Sequence, residues 1–316
     1  MHEHSVRTSF GEGLIDEVRE GLSQPQKQLS SKLFYDERGS ELFDEITGQS
    51  EYYPTRLERM LLRSRGAAWI RSFEPRSLIE MGAGSADKTR ALLDAMPDGA
   101  WYVPIDISAS YLSTIAEQVG AEYPQLTIVP VEADISAGPV VPDGVPAPSV
   151  VAFLGSTIGN FDRADAVRLL KGVRGAITRG DRFLMGADLV KDTRILERAY
   201  NDSAGVTAAF NLNVLNVLNR ELDADFDSDA FEHRAFFNSD ASRIEMHLVS
   251  KDEQVVTIPN AGEFHFDAGE SILTEISCKY TRATLKALFD DAGLDLEDWM
   301  TDASQWYAIA VGRVAR

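Results

Sequence analysis

Two short sets of residues in this chain have types and spacings that could do chemistry. The first is a strand-to-helix turn, Ser77-Leu-Ile-Glu-Met-Gly-Ala-Gly-Ser-Ala-Asp-Lys-Thr-Arg90. Gly82 and Gly84 allow backbone angles that other residues avoid, so the main chain can come close to a ligand. A helix expected to start at Ser85 leaves N–H groups to bond an oxygen. A dinucleotide fingerprint would place a third glycine at position 87, but Asp87 stands there. A carboxylate there suits a pyrophosphate poorly. A cofactor without phosphates, such as S-adenosylmethionine, suits the loop better. Asp106 closes the next apolar run, where an acidic side chain can accept both hydroxyls of a ribose. Asp134 closes the third, at the height of an adenine.

The second set is Glu275 and Ser277, in the alternating run Ser271-Ile-Leu-Thr-Glu-Ile-Ser-Cys-Lys-Tyr280. Two residues apart on a strand, they are expected to face the same way. On one face they could together bind a polar group of a ligand. Two exposed polar residues on a strand are the plain alternative. Asn160 ends a small-residue segment after the fourth apolar run and can both donate and accept. Tyr35, Phe43, Tyr52 and Tyr53 could fill a core or lid a pocket.

The elements that must position these residues follow from the pattern. Apolar runs near 77–81, 101–106, 126–131, 149–154 and 182–188 alternate with helical stretches at 85–96, 108–121 and 162–179. Such alternation implies an α/β fold with a parallel sheet covered by helices on both faces. A helix at 282–292 and two strands near 294–300 and 305–311 return the chain to this sheet, the last two as an edge hairpin. Between them, 191–220 read as helices and 231–280 as strands. Ahead of the sheet a helix is expected from Gly13 to Leu22, and another after Pro54, capped by Thr55. The expected division is a helical, aromatic segment at 1–62, a sheet domain at 63–190 and 281–316, and an inserted binding domain at 191–280.

Bulk properties exclude several functions. The 316 residues carry a formal charge of -19, so nucleic acid and anionic membranes are not expected partners. The one cysteine, Cys278, forms no intrachain disulfide, and the five histidines lack metal-ligand spacing. No metal is expected. There is no apolar leader and no run long enough to span a bilayer, so a cytoplasmic protein is expected. Nothing demands a dimer, and a monomer is expected.

Longer motifs carry a resemblance. Phe34-Tyr-Asp36, Gly39-Ser40, Glu51-Tyr-Tyr-Pro-Thr-Arg56, Gly82-Ala-Gly-Ser85, Phe153-Leu-Gly-Ser-Thr-Ile-Gly-Asn160, Asp188-Leu-Val-Lys-Asp192, Ala204-Gly-Val-Thr-Ala-Ala-Phe-Asn211, Arg243-Ile-Glu-Met246 and Leu273-Thr-Glu-Ile-Ser-Cys-Lys279 occur in order. Across nearly its whole length the chain resembles the L-histidine Nα-methyltransferases of ergothioneine biosynthesis. The resemblance implies a Rossmann-like S-adenosylmethionine-dependent methyltransferase domain with an added α+β substrate domain. It implies stepwise methylation of the α-amino group of L-histidine, through mono- and dimethyl intermediates, to hercynine. It implies Gly82, Lys88, Asp106, Asp134 and Ile135 for the cofactor. For the amino-acid end of the substrate it implies Tyr52, Asn160 and Tyr200, and for the imidazole Glu275 with Ser277. Tyr35, Phe43, Gly155, Thr207 and Met246 fall on or near the pocket, and Tyr35 or Asn160 would orient the amine. Ala83, and Ile135 at an often aromatic position, depart mildly from the family pattern. The rival readings are a related N-methyltransferase of another amino acid or a tryptophan derivative, a nicotinamide-dependent oxidoreductase, and a sensor that binds S-adenosylmethionine without catalysis.

Overall fold

The computed structural model describes residues 13–107 and 109–315, apart from the side chains of 109–111. His2, His4 and the rest of the polar stretch 1–12 lie outside the described residues, as does Ser108 at the head of the helix expected over 108–121.

In chain order the helices α1 (Leu14–Leu22), α2 (Glu37–Gly48) and α3 (Tyr53–Phe73) lead into strand β1 (Ser77–Met81). Then follow α4 (Arg90–Leu93), β2 (Trp101–Asp106), α5 (Ala109–Glu122), β3 (Thr127–Ile128), β4 (Val131–Glu132) and β5 (Ser149–Phe153). Next come α6 (Arg163–Ala176), β6 (Arg182–Asp188), α7 (Thr193–Ala199) and α8 (Val206–Leu222). Strands β7 (Phe231–Asn238), β8 (Arg243–Ser250), β9 (Gln254–Ile258), β10 (Gly262–Phe266) and β11 (Ser271–Cys278) follow. The chain closes with α9 (Arg282–Asp291), β12 (Leu294–Thr301) and β13 (Tyr307–Val314).

Two compact units result. One comprises Tyr53–Lys191 and Cys278–Arg316, the other Met1–Tyr52 and Asp192–Ser277. The first is built on a sheet of order β12-β13-β6-β5-β1-β2-β3, with β4 also on β2. Strands β6, β5, β1 and β2 run parallel, and β13 and β12 complete the edge in antiparallel fashion. Apolar residues alternate between its faces. Ile79, Val103, Val151 and Phe183 pack with Leu169, Val173, Leu285 and Phe289 of α6 and α9. Leu78, Tyr102, Val150 and Leu184 pack with Leu62, Trp69, Ile115 and Val119 of α3 and α5. The expected doubly covered α/β sheet and its edge hairpin are therefore present. Strand order reverses between β1 and β5, and ligands of open α/β sheets bind outside the carboxyl ends of strands at such a point.

In the second unit, β11-β8-β7 and β10-β9 form two small sheets. Helix α8 packs on α2 and on β7 and β8. Leu29 donates its N–H to the Leu273 carbonyl at 2.9 Å, tying the N-terminal segment to β11.

Four local expectations need correction. The helix expected over 85–96 shrinks to Arg90–Leu93. Gly84 and Ala86 both take positive φ, 49° and 51°, so Ser85 heads no helix. Thr55 caps nothing, because α3 starts at Tyr53 and Thr55 lies buried inside it. The strand expected over 126–131 is broken into β3 and β4, with Pro130, which lacks a ladder N–H, between them. Finally, the unit boundary falls at Tyr52 and not at 62, and the insertion runs 192–277 and not 191–280. The reason is anchoring within the sheet unit: the Tyr53 hydroxyl and the Lys279 ammonium both bond the buried Asp188.

One carboxylate in the sheet is unusual. Glu80 of β1 is buried, with hydroxyl donors from Thr89 and Tyr102. Burial pushes its carboxyl up to about 7 from an ordinary 4.5. The folded chain thus holds this proton more tightly than the unfolded chain does. The stability this supplies is complete below 4.5 and is lost as pH rises through about 7. In Glu80→Gln the loss between pH 5 and pH 8, measured by urea unfolding, should shrink by about 1–3 kcal/mol. An unchanged difference would mean that Glu80 does not titrate as described.

Candidate active site

In the sheet unit, the turn after β1 bends at Gly82 (φ 67°) and Gly84 (φ 49°). The N–H groups of Gly82 and Ala83 bond the Ile105 carbonyl at 2.8 and 3.1 Å, and that of Gly84 bonds an Asp106 carboxylate oxygen at 3.1 Å. A Cβ on Gly82 would stand 3.5 Å from Ile135, and one on Gly84 would meet nothing within 4 Å. Glycine is required here by backbone angle and leaves open space beside the loop. The fold thus gathers Gly82, Gly84, Asp106 and Ile135. Asp134 is exposed and accepts from the Ser136 N–H at 2.8 Å. Asp87, the residue that spoils the dinucleotide pattern, pairs with Arg59.

Lys88 does not simply point outward. Its ammonium sits 2.6 Å from Glu58, a carboxylate with no exposed surface. Glu58 also accepts the Gly155 N–H, at 2.8 and 2.9 Å to its two oxygens, and the Tyr307 hydroxyl at 2.7 Å. After Gly155 (φ 81°) and Ser156 (φ 59°) the chain makes a 3-10 turn, Thr157–Asn160, which carries Asn160 half-buried at its end. Ser156 is fixed by the Asp188 N–H, which bonds its hydroxyl at 2.8 Å. Asp188 holds Tyr53 (2.8 Å), Lys279 (3.0 Å) and Lys191 around a carboxylate with no exposure. Burial works to raise the Asp188 carboxyl, but Lys279 and Lys191 outweigh it and hold it below the usual range. Burial pulls Lys191 down to about 8 against the pull of Asp188.

The second unit collects the other predicted residues. Its aromatic rings form a continuous series. Tyr35 meets Phe43 edge-on at 5.9 Å, Phe43 meets Tyr52 at 6.3 Å, and Tyr52 meets Tyr200 at 6.3 Å. Phe210 packs against both Tyr35 and Phe43 at 6.0 Å. The Tyr200 hydroxyl donates to the Ser277 hydroxyl at 2.8 Å, although 77 residues separate them. Met246 is buried on β8, and Glu275 is half-buried on β11. Thr207 lies in the first turn of α8, where its N–H bonds the Asp202 carboxylate at 2.7 Å.

Local folding explains the motifs. Asp36 caps α2 through the Gly39 N–H at 2.7 Å and is held by Asn213 and Arg220, each at 2.8 Å. A Cβ on Gly39 would lie 1.6 Å from the Phe34 carbonyl oxygen, so only glycine allows this entry, which sets the Tyr35 ring.

Sequence reasoning missed a polar support beneath Tyr200. The His233 ring bonds the Tyr200 carbonyl through Nε2 and the Asn211 amide through Nδ1, both at 2.9 Å. A carbonyl only accepts, so Nε2 carries the proton and Nδ1 accepts from Asn211. Burial pulls the His233 pKa below its usual value. Asn211 also donates to the His247 carbonyl at 3.1 Å and accepts the Thr274 hydroxyl at 2.6 Å, one residue before Glu275. Asn211 lies in a quoted motif, but its partners on β7, β8 and β11 are remote in sequence. Glu58 was missed because it sits mid-helix among charged neighbours. Among the described residues, no group of three or more His, Cys, Asp or Glu is arranged to hold a metal ion.

Comparison with known proteins adds to this geometry. Residues 14–314 match the family described as histidine-specific methyltransferase, SAM-dependent. The chain is 45% identical over 309 residues to the histidine N-alpha-methyltransferase of Mycolicibacterium smegmatis, covering 96% of this chain and 95% of that protein. It is 43% identical over 317 residues to that of Mycobacterium tuberculosis, covering 97% and 98%. It is 30% identical over 329 residues to an L-tryptophan methyltransferase of Psilocybe serbica, covering 93% and 91%.

The support beneath Tyr200 is open to test. Asn211→Leu leaves His233 Nδ1 and the His247 carbonyl without their amide donor in a buried place. Unfolding by denaturant should show a loss of about 1–3 kcal/mol. The stability that neutral His233 supplies is present above its ordinary 6.5 and is lost as pH falls through its lower folded value. His233→Gln should therefore flatten the acid side of the stability curve. An Asn211→Leu protein as stable as its parent would remove this network from the account of Tyr200.

Proposed function

Since the chain belongs to the family of histidine-specific, SAM-dependent methyltransferases, we propose that it methylates the α-amino group of L-histidine three times. The product is hercynine, and the reaction opens ergothioneine biosynthesis. The observation that carries the substrate reading is the Tyr200–Ser277 hydrogen bond, which sets Ser277 on the strand that bears Glu275. With the tyrosine donating into its oxygen, the Ser277 hydroxyl turns its own proton toward another acceptor. A neutral imidazole asks for one donor and one acceptor. Ser277 serves as the donor to one ring nitrogen, and the Glu275 carboxylate accepts the N–H of the other.

The residues of the glycine turn fit the co-substrate. Gly82 and Gly84 leave room beside the main chain, Asp106 offers a carboxylate for ribose hydroxyls, and Asp134 with Ile135 lies where an adenine would rest. Lys88 offers a cation for the carboxylate of the methionyl end. S-adenosylmethionine supplies an electrophilic methyl group on a sulfonium. The chain's own task is to align a neutral amine and to exclude water. In each round the substrate ammonium first gives up a proton. The amine lone pair then forms the new N–C bond as the C–S bond breaks, and the sulfonium becomes a thioether. Burial favours the neutral amine, so a strong base is not required and water can take the proton. In the sheet unit, Asn160, with Gly155 in the same segment, is our candidate to orient the amine and hold the amino-acid end. In the second unit, Tyr35 is our candidate for the amine and Tyr52 and Tyr200 for the amino-acid end, with Phe43, Thr207 and Met246 as lining residues.

The aromatic series from Tyr35 to Tyr200 suits the product. Ring faces attract cations, and a quaternary ammonium is the easiest cation to desolvate. The intermediates carry one and two methyl groups and bind the same faces. We place the protein in the cytoplasm as a monomer, without metal, nucleic acid or membrane partners. Among the described residues, no helix is long and apolar enough to cross a membrane.

Mass spectrometry of a competition tests the reading. The protein is incubated with S-adenosylmethionine and an equimolar pool of the twenty amino acids. Histidine alone should gain methyl groups and accumulate as the trimethyl betaine. Methylated tryptophan in its place would transfer the pocket to the chemistry named for the Psilocybe relative. Exchanging Glu275 and Met246 together for smaller apolar residues removes the imidazole's acceptor and opens space. The histidine-to-tryptophan preference should then fall by about tenfold or more, the worth of one buried charged hydrogen bond. An unchanged preference would sink the Glu275 assignment.

A further inference from the structure

Glu58 lies in no motif quoted above and touches no proposed ligand, yet the carboxyl ends of two sheet strands converge on it. Its carboxylate has no exposed surface. Burying such a group is costly unless its lone pairs are filled. They are filled by Lys88 from the turn after β1, by the Gly155 N–H from the segment after β5, and by Tyr307 from β13. Space is reserved for it as well. A Cβ on Gly186 of β6 would stand 2.0 Å from Glu58 Oε1 and 2.5 Å from the Tyr307 hydroxyl. Glycine at 186 has no positive φ to justify it, so room for this carboxylate is the reason for it.

Two of its donors are themselves neighbours. A Cβ on Gly155 would lie 3.2 Å from Lys88 Nζ. The Lys88 side chain keeps 22% of its surface exposed while its partner keeps none. The ammonium is therefore held by a fully buried carboxylate on a side chain that still reaches the surface. A lysine on a solvated four-carbon stem ordinarily pays rotamer entropy to meet a ligand. Here that cost is met in folding.

We propose that Glu58 is a positioning residue for cofactor binding, acting through Lys88, and that it sets the same ammonium against the Gly155 segment. This rests on the assignment of Lys88 to the methionyl carboxylate made above. Glu58→Gln keeps the shape and an acceptor for Gly155 and Tyr307 but removes the charge that pins Lys88.

The test is the dissociation constant of S-adenosylhomocysteine, which shares the methionyl carboxylate, measured by isothermal titration. Four proteins are compared: the parent, Glu58→Gln, Lys88→Met and the double variant, each with its unfolding temperature recorded. Tyr307→Phe, which removes one neutral donor to Glu58 and leaves Lys88 in place, is the control for general damage to the cluster. Glu58→Gln should weaken binding about tenfold, and the double variant should bind no worse than Lys88→Met. Tyr307→Phe should bind within about twofold of the parent. Additive losses in the double variant, or equal weakening by Tyr307→Phe, would reduce Glu58 to a structural role and overturn the inference. Parent-like binding by Glu58→Gln would overturn it too, while leaving the assignment of Lys88 intact. Parent-like binding by Lys88→Met would overturn that assignment first and the inference with it.

Discussion

A single buried carboxylate organises the ligand end of the sheet unit. Glu58 brings one negative charge to a place with no solvent exposure, and four elements answer it. Each answer fixes something else. The Gly155 N–H fixes the start of the segment that ends at Asn160, and Lys88 is fixed at the mouth of the glycine turn. Tyr307 secures the antiparallel strand β13, and Gly186 gives up its side chain to make room. A misplaced group here would leave a charge unpaired in a low-dielectric interior, which costs several kcal/mol. That penalty is why so small a feature can dictate geometry over strands far apart in sequence.

A second charged centre supports the same segment. Asp188 gathers two ammoniums and a tyrosine, and its N–H holds Ser156 in a left-handed conformation that serine seldom adopts. Tyr280 adds a bond from its hydroxyl to the Ile158 carbonyl at 3.2 Å. The short stretch from Gly155 to Asn160 is thereby held by side chains from α3 and the chain after β11 and by a backbone N–H of β6. Loops that carry function are precise when a rigid scaffold dictates their shape.

In the other unit the equivalent work falls to neutral groups. His233, Asn211 and Thr274 pass hydrogen bonds from the Tyr200 carbonyl across to β11, and every one of these bonds is buried or half-buried. Neutral partners carry a smaller desolvation cost than ions, and burial lowers the His233 pKa, which favours the uncharged ring. The aromatic series packs on Phe210, which immediately precedes Asn211. One turn of α8 thus serves both the apolar wall and the polar support.

The sequence by itself determined the sheet, because apolar runs of strand length alternating with amphipathic helices leave few other ways to bury their surface. It determined the glycine turn, the acidic ends of the strands and, through long ordered motifs, the family. Local chemistry was enough for these, since a left-handed glycine or an alternating strand is written within ten residues. It did not determine the short helix after the turn, because Ala86 adopts a positive φ that its own side chain disfavours. Nor did it determine the role of Glu58, the tautomer of His233 or the meeting of Tyr200 with Ser277. Those depend on partners scores of residues away. Only the tertiary structure could decide them, because a buried polar group takes its meaning from whichever donors and acceptors the fold delivers to it.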